Sequence, residues 1–394
     1  MPSGRLPFLG SCCEGLLTRR GMLKRALAGG ALAATGSILP RGAAASDLRL
    51  ASAKPVYSKD AYQSLVPAAI GGPMIANRHM ISLRWLGCSS YELVHRGKVY
   101  LLDAWFDRGP RTRPVGFGQA DVIRAEAIII GHGHFDHIAD APPIAARTGA
   151  VIVGAPLSTT YASSAGTPES QLRTVTGRGG ELLEFDGFTV EPILAHHAVF
   201  PTRTNSRGAN VGQANGDLYE AALGPFTPAE TSEFFAMLAR GNGDPRVLTE
   251  GTIAYLFTFE SGYRMVWLDS GGPITAQMIS VMNRVGKTNL AIASYTVQGI
   301  PDTQIPVTMR LIELFQPDVF LPCHHDEIVL IPIRNGLPDM ATEPLMMAIR
   351  DTMPETRGIA PLYRSPIVVN TKTGRVVEVR NETGNVDDEG DDYR

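Results

Sequence analysis

The stretch Ala127-Ile128-Ile129-Ile130-Gly131-His132-Gly133-His134-Phe135-Asp136-His137 joins an apolar run of four residues to a loop carrying three histidines and an aspartate. The run is short, wholly apolar and closed by a glycine, as expected of a strand buried on both faces. The four polar side chains then sit together on the loop at that strand's C-terminal end. Gly131 and Gly133 let the backbone turn tightly enough for neighbouring side chains to converge. Imidazole and carboxylate in such density suit a zinc ion, and also manganese or iron.

The same kind of junction recurs downstream. Ala195-His196-His197 and Pro322-Cys323-His324-His325 supply two histidine pairs, so seven of the nine histidines fall in three tight groups. Asp269 closes the apolar Trp267-Leu268; as a buried charge it is costly unless a cation pairs with it, and its plainer reading is a turn residue before Gly271-Gly272. If the strand continues, His196 and His197 point to opposite faces, and only one of them ligates from it. His79 and His95 have no clustered partner and read as structural or surface histidines.

The arrangement His132-x-His134-x-Asp136-His137, followed in order by a histidine, an aspartate at a strand end and a final histidine, resembles the signature of the metallo-β-lactamase fold superfamily over roughly Met80 to Asp326. The resemblance implies an α/β fold, a four-layer αββα sandwich of two mixed β-sheets, with a one- or two-metal site at one edge. It implies that His132, His134 and a histidine of the second pair hold one metal. Relatives with an Ala-x-His triplet favour His197 for that place. Asp136, His137 and a final histidine would hold the second metal, with Asp269 bridging. Pro322-Cys323-His324 resembles the Pro-x-His ending of the lactonase-like and phosphodiesterase-like branches, which favours His324 as ligand and leaves His325 to a supporting or substrate contact. Trp85-Leu86-Gly87 and Leu101-Leu102-Asp103-Ala104-Trp105 are similar to the opening of ascorbate-6-phosphate lactonase-like and N-acyl-phosphatidylethanolamine phospholipase-like hydrolases. Those often carry histidine after that glycine, where this chain has Cys88. Asp103 either orients a ligand histidine or simply ends a hairpin.

The implied chemistry is hydrolysis of an ester, lactone, amide or phosphodiester by a metal-activated hydroxide held between two divalent ions, zinc first, with manganese or iron as alternatives. Asp136 would help to orient the nucleophile, and His325 would give a proton to the leaving group or steady an oxyanion. Two other readings share the fold: a metal-dependent oxidoreductase, and a non-catalytic metal-binding protein. A small-molecule substrate is the expected partner, and the residues leave oligomeric state open.

Composition narrows the classes further. The 394 residues carry 36 Lys+Arg and 39 Asp+Glu, a net charge of −3, and 44% are hydrophobic. That excludes a disordered chain, and it argues against a nucleic-acid binder working through bulk positive charge. Four cysteines do not make a disulfide framework. Residues 1–45 read as an export signal: Arg19-Arg20 with Leu23-Lys24, then an apolar Ala/Gly-rich run, then Ala43-Ala44-Ala45. The paired arginines resemble a bacterial twin-arginine signal, which implies transient contact with that export machinery, a folded passenger, and a periplasmic or secreted destination. The run is too short and glycine-diluted for a membrane anchor. Residues 46–79 read as an N-terminal extension, 80–380 as the hydrolase domain with a lid insertion at 201–250, and 381–394 as an acidic disordered tail. Arg203 and Arg207 in the insertion are solvated-loop residues or anion contacts. Strands are expected at 81–86, 91–95, 98–102, 127–130, 150–153, 253–259, 264–268, 290–293 and 319–321. Helices are expected at 141–148, 228–240, 274–285 and 307–315.

Overall fold

The computed structural model describes residues 65–110, 112, 114–198, 226–295, 301–326 and 338–378. The export-signal and acidic-tail readings, most of the extension, Arg203 and Arg207 lie outside the described residues. In chain order the elements are β1 (Met80–Trp85), β2 (Tyr91–His95), β3 (Lys98–Leu102), β4 (Ala127–Ile129), α1 (Phe135–Ile138), α2 (Ala141–Thr148), β5 (Val151–Gly154), α3 (Pro156–Ser164), β6 (Leu172–Thr174), β7 (Leu183–Phe185) and β8 (Phe188–Ala195). There follow α4 (Pro228–Leu238), α5 (Val247–Glu250), β9 (Thr252–Phe259), β10 (Arg264–Leu268), α6 (Ala276–Val285), β11 (Leu290–Ser294), α7 (Pro301–Phe315), β12 (Val319–Cys323), α8 (Pro338–Thr352), β13 (Arg357–Gly358), β14 (Pro366–Asn370) and β15 (Val376–Glu378).

The strands form one sheet in the order β15-β14-β1-β2-β3-β4-β5-β6 and a second in the order β13-β12-β11-β10-β9-β8-β7. Each mixes parallel and antiparallel pairs, β3-β4-β5 and β10-β11-β12 being parallel. Alternation along the strands separates three apolar layers. Leu83, Trp85, Tyr100, Leu102, Tyr255, Trp267 and Ile292 fill the space between the sheets. The intervening Val99, Leu101 and Ile128 face outward, onto Ile138, Ile144 and Ala145 of the helices. On the second sheet Val266, Leu268 and Ala291 do the same against Met278, Leu311 and Leu345. The expected four-layer αββα sandwich is what these residues build, and burial on both faces is why the central strands read as unbroken apolar runs.

One buried ion pair sits on the outer face of the first sheet. Arg84 and Glu92 are cross-strand partners, with Nη1 2.8 Å from Oε1. Glu92 Oε2 also accepts from the Ala69 amide at 2.6 Å, tying the turn Ala68–Ile70 to the sheet.

Several element boundaries differ from the sequence expectation. α7 begins at Pro301, six residues before 307, and carries Pro306 within it. α4 stops at Leu238; its start is fixed by Thr227, whose side chain caps Glu230 N while Glu230 reaches back to the Thr227 amide. The strand ending at Ala195 does not continue through His196 and His197. β6, β7, β8, α3, α8 and the three C-terminal strands are additional elements. Several are short or half-exposed, so they lack the apolar contrast that marks the central strands.

Candidate metal centre

Every side chain of the site follows the C-terminal end of a strand. Cys88 follows β1, Asp103 β3, His132 to His137 β4, His197 β8, Asp269 β10 and His324 β12. The pairings make β1, β3 and β4 parallel to one another, and likewise β8, β10 and β12, so each sheet delivers its loops to one edge. Hydrogen bonds stitch the two edges together. Gly131 O accepts from Ile253 N at 2.8 Å, and Ile130 O accepts from the Tyr255 hydroxyl at 2.8 Å. Cys88 O accepts from His324 N at 2.7 Å, and Pro322 O from the Tyr91 hydroxyl at 2.9 Å.

Two groups of donors meet there. His132, His134 and His197 place one donor atom each within 4.8 Å of one another. His132 Nε2 lies 3.0 Å from His134 Nδ1, and the His197 ring sits 4.6 and 4.8 Å from the other two. His197 Nδ1 donates to the Ala198 carbonyl at 2.8 Å, which leaves Nε2 as a lone pair. The structure brings His197 into this group, and His196 is in neither. The second group is Asp136, His137 and His324, joined by Cys88. Asp136 Oδ2 is 3.2 Å from His137 Nε2 and 3.3 Å from His324 Nε2. Asp269 lies between the groups, its Oδ2 2.6 Å from His132 Nδ1 and 3.1 Å from His137 Nδ1.

Supporting contacts fix the donors. His137 Nδ1 is 2.6 Å from Asp103 Oδ2, which also accepts from the Ser89 hydroxyl at 2.7 Å, while Asp103 Oδ1 accepts from Gly131 N at 2.9 Å. The α5 residue Leu248 holds the His197 amide through its carbonyl, and Ser270 holds that of Ala198. Gly133 O accepts from Asn242 N at 2.6 Å, so the segment after α4 rests on the histidine loop. Three of the six non-glycine residues with positive φ among the described residues are Cys88, Asp103 and His324. Such backbone strain costs about 1–3 kcal/mol each and persists where surrounding contacts over-determine it.

The glycines of the loop have a different reason from the one expected. Neither Gly131 nor Gly133 adopts positive φ. A Cβ on Gly131 would lie 2.0 Å from Asp269 Cγ, so this glycine makes room for the carboxylate. Gly272, in turn, packs against the His196–His197 backbone.

His325 joins neither group. Its ring stacks on Trp85 at 4.0 Å, and Trp85 stacks on Tyr363 at 4.3 Å. Burial lowers its pKa to about 4, so the ring is neutral near pH 7 and offers one N–H. Beside it Asp326 accepts from Arg108, from the Tyr363 hydroxyl and from Cys88 N. The sequence gives no sign of the Arg108–Asp326 pairing, which spans most of the domain. Cys88 and Ser89 left a faint mark, a run of small polar residues between two apolar strands.

The donor set fits cations. Asp269 Oδ1 and His137 Nε2 are buried and make no hydrogen bond, which is costly unless something else pairs with them. Burial, reinforced by neighbouring imidazoles, lowers His132, His134 and His197 to about 3 and keeps them as neutral donors. Burial also pulls His137 and His324 down, but surrounding carboxylates raise His137 well above its ordinary value, and Cys88 and Asp136 hold His324 at about 10. Protons there balance Asp103, Asp136 and Asp269, and a divalent ion can take that place.

The Beta-lactamase superfamily domain model matches residues 98–217. A UPF0173 metal-dependent hydrolase of Cupriavidus taiwanensis is 24% identical over 277 residues, 69% of this chain and 82% of its own. One of Agrobacterium fabrum is 30% identical over 149 residues, 37% of this chain and 60% of its own. Over these spans the chain is similar to metal-dependent hydrolases of the β-lactamase superfamily. Among solved structures, that of a possible metal-dependent hydrolase from Veillonella parvula overlaps 74% of this chain and 99% of its own, at 12% identity and a TM-score of 0.48. The Gly131–His137 loop lies inside the span matched by the domain model, whereas His324 comes from beyond it.

Proposed function

We propose that the protein is an exported hydrolase that holds two divalent cations and cleaves an ester, a lactone or a phosphodiester. The observation that carries this reading is the pair of donor groups at one sheet edge with Asp269 between them. His132, His134 and His197 would hold one ion, and Asp136, His137 and His324 the other. Bound cations supply Lewis acidity: they lower the pKa of water and polarise the oxygen under attack.

The chain's own residues do the positioning. Asp103 accepts a hydrogen bond from His137 Nδ1 and the Ala198 carbonyl accepts one from His197 Nδ1, which leaves Nε2 of each ring for a cation. His325, neutral and stacked on Trp85, has an N–H to offer an oxygen that gains negative charge. Trp105, Phe135, Phe234 and Met237 form an apolar cluster that also contains Cys88 and joins α4 to the histidine loop, which supports reading this part of the insertion as a cover for the site.

Export rests on the Arg19-Arg20 segment and the small residues ahead of Ser46. Among the described residues no helix is long and apolar enough to cross a membrane. Fractionation of the native host, with sequencing of the mature N-terminus, tests the destination; cleavage after Ala45 is expected.

The activity is tested by elemental analysis of the purified protein together with a hydrolysis screen over lactones, phosphodiesters and acyl amides. Two ions per chain are expected, with turnover that disappears in His134→Ala and Asp269→Ala. Iron accompanied by redox turnover would favour the oxidoreductase reading. Bound metal with no turnover of any ester, lactone or phosphodiester would favour a binding protein.

A further inference from the structure

The second donor group contains one side chain that the ligand scheme above leaves out. Cys88, Asp136, His137 and His324 are all buried and bring one donor atom each within 4.8 Å of one another. Cys88 Sγ stands 3.9 Å from Asp136 Oδ2. We propose that Cys88 is a thiolate ligand of the second cation, an assignment that rests on the two-cation reading.

The thiol is held in place by its backbone. Cys88 has φ 49°, a left-handed conformation that few non-glycine residues adopt. Three hydrogen bonds maintain it. Its N–H donates to Asp326 Oδ1 at 2.7 Å, and its carbonyl accepts from Trp85 Nε1 at 2.8 Å and from His324 N at 2.7 Å. Asp326 is itself fixed by Arg108 and Tyr363. Strain of this kind, clamped from both sheets, is characteristic of a side chain aimed at a site.

The surroundings of the sulfur call for a cation. His137 Nε2, buried without a hydrogen bond, and His324 Nε2 converge there on Asp136 Oδ2, at 3.2 and 3.3 Å. A buried neutral thiol offers these groups little, because S–H is a weak donor. A thiolate bound to a divalent ion satisfies sulfur, imidazole and carboxylate together. The other described cysteine, Cys323, is different: its Sγ donates to the Leu268 carbonyl at 3.6 Å within the inter-sheet core, and it joins neither donor group. A soft sulfur donor also favours zinc, cobalt or iron over manganese at this position.

The experiment is cobalt substitution of the full-length mature protein, with X-ray absorption of the zinc-loaded form. A sulfur-to-cobalt charge-transfer band in the near ultraviolet is expected in the wild type and in Cys323→Ser, and is absent in Cys88→Ser. The zinc-loaded wild type, which needs no variant, shows a sulfur scatterer at about 2.3 Å. Cys88→Ser keeps its first ion and releases the second at least about tenfold more readily, the smallest effect seen even for partners outside the coordination sphere. Two bound ions with only nitrogen and oxygen scatterers, or a band unchanged in Cys88→Ser, overturns the assignment and leaves the two-cation reading intact. A wild type that takes up no ion overturns that reading itself.

Discussion

Two contacts at the residue scale decide whether the centre can form. The Asp269 carboxylate sits where a Cβ on residue 131 would lie, and a methyl group there displaces a charge that His132 and His137 hold in place. Gly131→Ala is therefore expected to fold and yet to lose tight metal binding, measured as ions retained after gel filtration with a weak chelator. Full retention would show that Asp269 can shift without cost. Asp103 acts one contact further out, accepting from His137, Ser89 and Gly131 N. Asp103→Asn is nearly isosteric but presents an amide where His137 needs an acceptor. It should weaken the second ion by about 10–100-fold in chelator competition, as losing such orienting partners does elsewhere. The histidine loop was plain in the sequence because four donors within six residues are rare by chance. His197 rather than His196 was decided by the end of β8 and by Leu248 and Ala198, contacts that no local pattern encodes.

At the scale of elements, the central strands were legible because both faces are buried and the runs are wholly apolar. The hairpin β2–β3 follows the Arg96-Gly97 turn, and α2 and the pair β9–β10 appear close to where periodicity puts them. Half-exposed edge strands were not legible, because burial on one side alone leaves a weaker signal. Charge inside a strand was also ambiguous. Arg84 and Glu92 alternate with apolar neighbours, yet they pair beneath the Ala68–Ile70 turn and are fully buried. Removing one partner strands the other charge. Glu92→Ala is expected to destabilise the fold by about 3–5 kcal/mol in urea unfolding, whereas replacing both residues by apolar ones should cost much less. Equal losses in the single and double variants would mean that the pair has no coupling.

For the whole molecule the charge balance at the shared edge sets the response to pH. His132, His134 and His197 are held at about 3, against roughly 6.5 in an unfolded chain. The unfolded chain then binds protons that the folded one refuses, so the metal-free protein loses stability as pH falls from about 6.5 toward 3. His324 behaves oppositely. Held at about 10, it contributes fully below about 6.5, and the contribution is lost as pH rises through 10. Denaturation midpoints of the chelated protein should peak near neutrality, and saturating divalent ion should flatten the alkaline decline by taking the place of that proton. An alkaline limb unchanged by metal would mean that His324 does not meet the ion.

The chain order by itself determined a great deal: an αββα sandwich, a strand ending in a histidine loop, and the identity of most donors. The strand, its loop and the donors follow from apolar period and donor density, both local properties of the sequence, while the sandwich is what the resemblance carried by those residues implies. Only the tertiary structure decided which histidine of each pair turns inward, that Cys88 stands among the donors, and that Gly131 exists to admit Asp269. The reason is physical. Those outcomes depend on two sheets presenting their strand ends to one edge, and on hydrogen bonds between residues far apart along the chain, such as Cys88 with Asp326 and Gly131 with Ile253. A short-range pattern records what one segment prefers, while convergence at a point is a property of how all of them pack.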